Sequence, residues 1–458
     1  MRRSIKINLC LLTLLVAVMS TSCKQYLDAK PDQKLAIPSS LEELQGLLDN
    51  YSVMSQTASG SGEASADNYY LESSAWTALA KANLQRLHVW GEDLFEQSAL
   101  NEWGCNYQAV YFSNTVLHTL SGIGKNQLNQ TQWEDIQGQA LFFRAQFLLR
   151  TAFIWAPAYD NESSGTDPGI PLRLTTDFNV PSIRANNAET YSQILSDLKS
   201  AIHKLPVSPT HQAHPSKPGA YGLLARAYLS MRKYTEAGLY ADSCLQLYSR
   251  LLDYNTLIAT ENYPIKQFNV EVIFWNRILA PTLLNASIAK IDPALYASYS
   301  EKDLRKSIFF RRNADGSYAF KGHYEGAAAP FGGVATDEVY LMRAECLARA
   351  GQTGAAMKDL NALLKNRYVN KPGDLFADLT AGSAAEALQL ILTERRKQLL
   401  MRDLRWMDIK RLNKDGANIS IQRVLNGETY TLQPNDPRYA LPIPEDVIAL
   451  SGMEQNRR

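Results

Sequence analysis

The chain has 458 residues, with 47 basic and 46 acidic side chains and a formal net charge of +1 at pH 7. This balance argues against nucleic-acid binding, because phosphate contacts require a basic surplus or stripe, and equally against electrostatic adhesion to anionic lipid. The length is sufficient for one large domain or for two to three small ones.

The N-terminus has the parts of a secretory signal. Residues 1–6 are basic, residues 7–19 are mostly apolar, and residues 20–22 are small. The apolar run is shorter than the roughly 20 residues that a membrane-spanning helix needs. Cys23 follows directly, as bacterial lipoprotein processing requires. We predict that residues 1–22 are a lipoprotein signal peptide and that Cys23 is acylated; the alternative is a plain signal peptide followed by a chance cysteine.

An acylated Cys23 would fix a water-compatible body to a membrane surface. Each buried methylene contributes about 0.8 kcal/mol, so one acyl chain such as palmitate binds marginally, whereas two or more bind durably. Residues 23–38 are polar and contain two prolines, which predicts an extended, lipidated tether. Without residues 1–22 the net charge would be about −2.

Helical periodicity dominates most of the remaining chain. Ser40 followed three residues later by Glu43 forms a capping box and predicts a first helix from Leu41. Between residues 52 and 101 the pattern weakens, which predicts long loops of the kind that often carry function. The other predicted helices are 103–120, 131–155, 190–205, 217–230, 234–248, 335–350, 353–368 and 384–412.

Residues 252–333 differ from the helical stretches. They contain short β-rich runs and a turn at residues 314–317. We predict a mixed loop and strand insertion between an N-terminal helical region, residues 39–251, and a C-terminal helical region, residues 334–458.

Two segments have the pattern of a tetratricopeptide repeat, in which paired helices cross closely. Small residues stand at the expected crossing points, at Ala225 and Ala237 in one copy and at Ala344 and Ala356 in the other. We predict a mainly α fold in which such repeats form a scaffold. Weaker copies at 103–155 and 190–205 are explained equally well as ordinary helical hairpins.

The cysteines that remain after Cys23 are Cys105, Cys244 and Cys346. Because they are widely spaced and odd in number, they give no disulfide framework and no zinc-ligand pattern. Two of them lie on apolar helix faces, which favours buried, unreactive thiols.

A series of short motifs runs from Cys23 to the C-terminus. They are Cys23–Asp28 with Lys30–Asp32; Trp103, Tyr107 and Asn114; Arg144 and Ala145; Gly169–Leu172; Arg184 to Pro206; Glu394–Leu400; Arg405–Arg411; and Leu441–Glu445 with Gln455 and Asn456. In order and spacing they resemble the SusD/RagB family, the surface glycan- and nutrient-binding lipoproteins of Bacteroidetes.

The strongest of these motifs predicts structural ion pairs rather than a catalytic site. Glu394, Arg395, Arg405 and Asp408 lie close along a helix and its bend, with Trp406 packed beneath. Breaking a buried ion pair costs about 3–5 kcal/mol of stability, so a role in stability explains the presence of such a motif without any ligand. The same interpretation applies to Arg144, Asp303 and Arg305.

Catalytic patterns are weak in this sequence. No carboxylate pair stands out as glycosidases would require, and no phosphate-binding glycine loop or nucleophile elbow is present. His211 and His214 lie near prolines without a third ligand, which favours plain surface residues. We therefore predict a protein that is not an enzyme and that carries no cofactor and no metal.

For a glycan-binding protein, aromatic residues on loops are the candidates. A sugar ring packs its C–H face on an aromatic ring, while Asp, Asn or Arg bind the hydroxyls. The resemblance points to loops between the first helices and loops late in the insertion, although each residue there is also explained as core. The candidates are Asp67, Asn68, Tyr69, Trp76, Trp90, Tyr318, Tyr324 and Phe331.

The resemblance implies a partner and a location. The protein would be anchored in the outer membrane by its lipid, would be exposed at the cell surface, and would act as the lid of a SusC-like TonB-dependent transporter that receives an oligosaccharide. Three alternatives stay open: a RagB-like lid for oligopeptides, a lipid-anchored glycan-degrading enzyme, and a repeat scaffold whose only ligand is a protein.

Overall fold

The computed structural model of the protein describes residues 38–95 and 101–458. The predicted signal peptide, Cys23 and most of the tether lie outside these residues, so the acylation of Cys23 stays a prediction. Across the described part of the chain, no helix is both long enough and apolar enough to cross a membrane.

The fold is mainly α, as predicted. In chain order, the helices of the described residues are α1 (Leu41–Leu48), α2 (Tyr51–Met54), α3 (Ser61–Ser65), α4 (Ser73–Thr77), α5 (Ala82–His88), α6 (Glu102–Gly122), α7 (Gln130–Trp155), α8 (Asn187–Ile202), α9 (Lys217–Ser230), α10 (Tyr234–Leu247), α11 (Pro293–Ala297), α12 (Arg305–Ile308), α13 (Thr336–Arg349), α14 (Thr353–Leu364), α15 (Ala384–Gln398), α16 (Arg405–Lys414) and α17 (Glu445–Ser451).

The strands are short and pair two by two. They are β1 (Ala58–Ser59), β2 (Tyr69–Tyr70), β3 (Pro168–Pro171), β4 (Arg184–Asn186), β5 (Val272–Phe274), β6 (Ile278–Leu279), β7 (Lys290–Ile291), β8 (Phe310–Arg312), β9 (Tyr318–Phe320), β10 (Val334–Ala335), β11 (Ile421–Leu425) and β12 (Glu428–Leu432). The pair β1–β6 is parallel. The pairs β2–β7, β3–β4, β5–β10, β8–β9 and β11–β12 are antiparallel.

Side-chain caps explain where several helices begin. The Ser40 hydroxyl accepts a hydrogen bond from the Glu43 backbone N–H at 3.2 Å, which starts α1 where the sequence predicts it. Asn186 and Glu189 form a reciprocal capping box at α8, so this helix starts before the predicted residue 190. Ser216 caps α9, whose observed and predicted bounds are identical.

The predicted repeat helices pack as two hairpins, α9 with α10 and α13 with α14. The four small residues at their crossing points, Ala225, Ala237, Ala344 and Ala356, are fully buried. A Cβ atom at Gly238 would lie 3.0 Å from the Cβ of Cys346, so α10 and α13 also approach closely. The small residues therefore act sterically, as the repeat pattern predicts.

One predicted helix, residues 384–412, is two helices in the structure. The chain leaves α15 at Leu399 and enters α16 at Arg405. Between them, Met401 and Asp403 have positive φ angles of 57° and 58°, a conformation that side chains other than glycine adopt only at a cost. Buried contacts of Arg402 and Asp403 with distant segments oppose this cost, and these contacts have no local sequence signal.

Buried apolar side chains form two hydrophobic cores. The first lies within the bundle of α1, α6–α10 and α13–α15. The second combines residues 64–95, the insertion and residues 400–443, and it meets the first at the end of α7. Strands β5, β6 and β7 of the insertion pair with strands outside it, so residues 252–333 are integrated into the second core.

The loops predicted between residues 52 and 101 are partly interior. All five residues of α3 are buried, and this short helix packs against α16. A buried Glu63 accepts from the Asp403 N–H at 2.9 Å, while Asp403 accepts from the Glu63 N–H at 2.9 Å. This reciprocal pair connects the N-terminal segment to the break between α15 and α16.

Ion pairs hold the motif of residues 394–411 in place, and most of the partners of these pairs lie outside the motif. Arg395 and Arg411 both bind Asp408 at 2.8 Å, and Arg411 also binds Glu345 on α13 at 2.6 Å. Glu394 binds Arg305 and Lys397. The further pairs Arg144–Asp197 and Arg305–Asp303 are buried at 2.7 Å, in agreement with the structural interpretation of these residues.

The three described cysteines are free and buried, and burial was the prediction for Cys244 and Cys346. The Cys244 thiol contacts the Pro218 carbonyl at 3.1 Å. Burial raises the pKa of the Cys346 thiol to about 12, so this side chain stays a thiol at neutral pH.

Glu102 is a buried carboxyl near the N-terminus of α6. It accepts a hydrogen bond from the Ser61 N–H at 3.1 Å, and no cation pairs with it among the described residues. Burial raises the pKa of Glu102 to about 7 from an ordinary 4.5. The folded protein therefore retains a proton that the unfolded chain releases, and this contribution to stability is lost as pH rises from about 4.5 to about 7.

Glu102→Gln keeps an oxygen acceptor for Ser61 but cannot ionise. We expect its free energy of unfolding to match the unmodified protein near pH 4 and to exceed it by up to about 3 kcal/mol near pH 8, measured by denaturant titration. Glu162→Gln, at an exposed carboxyl, is the matched control. A difference that does not grow with pH would contradict the assignment.

Candidate functional site

The eight candidate ligand residues do not converge on one site. Five of them are buried and make internal contacts, and three are half-buried. Their role in ligand binding stays a prediction, and for the buried five the structure offers no exposed face. The buried five are Asn68, Tyr69, Trp90, Tyr324 and Phe331, and the half-buried three are Asp67, Trp76 and Tyr318.

Asp67 and Asn68 connect the N-terminal segment to other buried groups. Asp67 binds Arg405 through both carboxylate oxygens, at 2.7 and 2.8 Å, and Arg396 at 3.2 Å. Although burial opposes it, these guanidinium groups hold the pKa of the Asp67 carboxyl well below its usual range. The Asn68 amide donates to Glu63 at 2.7 Å.

Tyr69 and Trp90 both pack against a buried arginine, Arg423. The Arg423 guanidinium carbon is 5.3 Å from the Tyr69 ring centre and 5.0 Å from that of Trp90. The Tyr69 hydroxyl donates to the Ala64 carbonyl at 2.7 Å, and the Trp90 indole donates to the Ser65 carbonyl at 3.0 Å. Both rings therefore hold α3 in place.

Tyr324 and Phe331 pack against a second buried arginine. Arg402 lies 4.9 and 4.7 Å from their ring centres and binds Asp337 at 3.2 Å. The Tyr324 hydroxyl contacts Glu271 at 2.6 Å and Asp337 at 2.9 Å. Its burial raises the pKa of Tyr324 well above its usual value, so the hydroxyl stays protonated.

Tyr318 and Trp76 keep part of their surface exposed. Tyr318 stacks on Tyr296 with ring centres 3.5 Å apart and 14° between the planes. Trp76 donates its indole N–H to the Gln85 carbonyl at 3.0 Å and lies 6.4 Å from the Tyr430 ring. Of the eight candidates, these two have the aromatic surface that a sugar ring could still reach.

A cleft of about 710 Å³ opens in the insertion. We call it the insertion cleft. Its volume falls in the range of sites for small ligands, and amide, hydroxyl and guanidinium groups interrupt its apolar walls. Its polar lining residues are Gln56, Asn262, Tyr263, Arg277, Thr282, Asn285, Ser287, Arg311, Lys321 and His323.

The walls of the insertion cleft are fixed by backbone and side-chain bonds. The Arg277 N–H donates to the Ser55 carbonyl at 2.7 Å, and the Ile278 N–H donates to the Pro330 carbonyl at 3.0 Å. Gln56 therefore reaches the cleft from the N-terminal segment, while the remaining lining comes from residues 262–330. The cleft lies where the two predicted groups of loops meet.

A second cavity of about 510 Å³ lies beside α6. We call it the aromatic groove. Tyr111 on α6 packs against Phe178 with ring centres 5.0 Å apart, and Tyr107 donates to the Pro171 carbonyl at 2.8 Å. Phe178 and Leu450 are 77% and 90% exposed at its rim. This surface has the apolar, exposed character of a protein–protein contact more than that of a sugar site.

Metal ligation has little support in this part of the molecule. Among the described residues, no group of three or more His, Cys, Asp and Glu side chains is placed to hold a metal ion. His214 contacts Asp49 at 2.9 Å and Thr210 at 2.8 Å, while His211 packs on Phe268. Both histidines thus have structural neighbours.

Two family comparisons match the chain. Residues 25–229 match a SusD-like family described as starch-binding and associating with the outer membrane, and residues 336–457 match the SusD family. Together these matches span more than two thirds of the chain. The chain belongs to the SusD family.

Solved structures show the same fold across the SusD family. A SusD superfamily protein from Bacteroides thetaiotaomicron VPI-5482 is 19% identical, with 92% of this chain and 100% of that chain covered and a TM-score of 0.73. A SusD-like carbohydrate binding protein from Bacteroides vulgatus ATCC 8482 is 18% identical, covering 91% and 97%, with a TM-score of 0.67. A laminarin binding SusD-like protein is 18% identical, covering 91% and 98%, with a TM-score of 0.64. A comparison with curated proteins found no match.

Sequence reasoning on this SusD-family chain missed the insertion cleft. Its polar residues come from five separate stretches of the chain, and none belongs to a recognisable motif. One local signal was present: Arg311 and Arg312 stand side by side in a β-rich run just before the predicted turn at residues 314–317, and in a strand alternation sends neighbouring side chains to opposite faces. One arginine therefore faces the cleft and the other does not line it.

Trp90→Ala separates a core role from a ligand role for this indole. Because Trp90 is 1% exposed, we expect the variant to lose about 3–5 kcal/mol of unfolding free energy. Thermal melting of both proteins measures this. Trp76→Ala, at a half-buried indole, is the comparison and should melt closer to the unmodified protein. Unchanged melting of Trp90→Ala with weakened sugar binding would contradict the internal role.

Proposed function

We propose that this SusD-family protein is a lipid-anchored outer-membrane protein that binds a glycan and serves as the lid of a SusC-like TonB-dependent transporter. The observation that carries the glycan part is the insertion cleft, whose amide, hydroxyl and aromatic groups suit a hydroxyl-rich ligand. Relatives of the same fold described as carbohydrate binding and laminarin binding support it.

Within the insertion cleft, Tyr263 is the tyrosine of the lining and is half-buried, like Trp76 and Tyr318. A phenol ring offers a flat face to sugar C–H groups, while the Asn262 amide supplies a donor and an acceptor for hydroxyls and the Asn285 amide supplies a donor. The surrounding backbone bonds hold these groups without a ligand, so binding would require little rearrangement.

The lid role requires a protein contact and an anchor. The aromatic groove supplies exposed apolar surface beside a rigid helix, which supports a protein partner at this face. A lipid on Cys23 would keep the protein at high effective concentration beside its transporter, because re-docking then becomes an intramolecular event. The family description of association with the outer membrane supports this location.

Tyr263→Ala tests the cleft as the glycan site. We expect about tenfold weaker binding with little change in melting temperature, since the side chain is only half-buried. Isothermal titration of the full-length protein in detergent against a glycan panel measures affinity, with product formation assayed in parallel. Tyr318→Ala is the comparison at a site predicted from sequence.

If Tyr318→Ala lost glycan binding and Tyr263→Ala kept it, the glycan site would be the Tyr296–Tyr318 stack and not the insertion cleft. Saturable binding of oligopeptides instead of glycans would favour a peptide-binding lid. Release of product from a glycan would show an enzyme.

Cys23→Ser tests the anchor and the lid together. We expect the variant to lose incorporation of labelled fatty acid, to leave the envelope fraction, and to recover less of a barrel protein on affinity purification. Cys105→Ser is the matched control, because it also replaces a cysteine with serine but at a buried thiol inside the fold. A variant that still pellets with envelopes would contradict the anchor, and an unmodified protein that never recovers a barrel would contradict the lid.

A further inference from the structure

The insertion cleft has an unequal balance of charge. Three cationic side chains line it, from Arg277, Arg311 and Lys321. None of the described residues that line it is Asp or Glu. The chain as a whole is close to neutral, so this local excess of positive charge is not a consequence of composition.

One of the three positive charges is paired with a carboxylate that does not itself line the cleft. Arg277 binds the buried Glu325 carboxylate through two nitrogens, at 2.9 and 3.1 Å. Glu325 also accepts from the Trp275 indole at 2.6 Å, which fixes the position of this pair. Arg277 therefore gives the cleft a positioned donor and little net charge.

The other two charges have no acidic partner in the described residues. Arg311 is exposed and makes one long hydrogen bond, 3.4 Å, to the Ala286 carbonyl. Lys321 donates to the carbonyls of Ala259 and Glu261, the latter at 3.1 Å. Burial lowers the pKa of Lys321, as expected for an ammonium group without a compensating carboxylate.

A site for neutral sugars commonly uses carboxylates as strong acceptors for hydroxyl groups, and these are missing here. A guanidinium and an ammonium group bind carboxylate or sulfate oxygens through charge-assisted hydrogen bonds, which are about twice as strong as neutral ones. Resting on the glycan-binding function proposed above, we infer that the insertion cleft selects anionic glycans, with Arg311 and Lys321 binding a uronate carboxylate or a sulfate ester.

The hairpin of β8 and β9 provides a matched pair of variants. Arg311 pairs with Ala319 across the hairpin and Arg312 pairs with Tyr318, so the two arginines project from opposite faces. Both are exposed, and only Arg311 lines the cleft. Arg311→Ala and Arg312→Ala remove the same charge from the same strand.

The experiment is isothermal titration of the full-length protein with glycans in matched forms. Uronate polymers such as polygalacturonate and alginate are compared with their carboxyl-reduced forms, sulfated galactans with their desulfated forms, and neutral glucans are included. We expect at least one anionic glycan to bind about tenfold or more tightly than its neutral form, with binding that weakens as salt is raised. Arg311→Ala should lose this preference and Arg312→Ala should keep it.

The possible results separate the two proposals. Preference for uronate over sulfate, or the reverse, identifies the anionic group. Equal or tighter binding of neutral forms would overturn the anionic selectivity while leaving glycan binding intact, as would a preference that Arg311→Ala retains. Binding of no glycan in the panel would overturn the proposed function itself.

Discussion

The structure depends on a small set of buried contacts between charged groups at the break between α15 and α16. Arg402 binds Asp337, the carboxyl groups of Asp403 and Glu63 each accept from the other residue's backbone N–H, and Arg405 binds Asp67. Removing one partner of a buried pair would leave the other charge unpaired, at a cost of about 3–5 kcal/mol. These contacts therefore oppose the cost of the positive φ angles of Met401 and Asp403.

The same contacts join the two hydrophobic cores. The first core is a helical support whose hairpins pack through small residues, and the second contains the segments that form the insertion cleft. Because Asp67 and Glu63 belong to the N-terminal segment, the break between α15 and α16 holds that segment against the C-terminal helices. The cleft is thereby built on a fixed frame, although its own walls are loops and short strands.

The helical part of this architecture could be predicted from sequence because its signals are local. Ser216 and the period of residues 217–230 define α9, and the alanines at helix crossings identify the repeat hairpins. The sequence predicts a bend near this motif but not a break into two helices, since residues 399–404 contain neither glycine nor proline and partners far along the chain maintain their conformation. For the same reason, loop position did not reveal that Trp90 and Tyr324 are buried: their neighbours come from segments with no fixed spacing.

The distribution of charge follows from this arrangement. Acidic side chains such as Asp67, Asp337 and Glu345 are occupied by internal pairs with arginine, so they contribute nothing to the surface of the cleft. Within residues 38–95 and 101–458, Arg311 and Lys321 have backbone carbonyls but no carboxylate as partners. Since the whole chain is nearly neutral, its long-range field would attract an anionic ligand only weakly in physiological salt. Selection must then act at contact distance, through charge-assisted hydrogen bonds from Arg311 and Lys321 to the anionic group of the ligand.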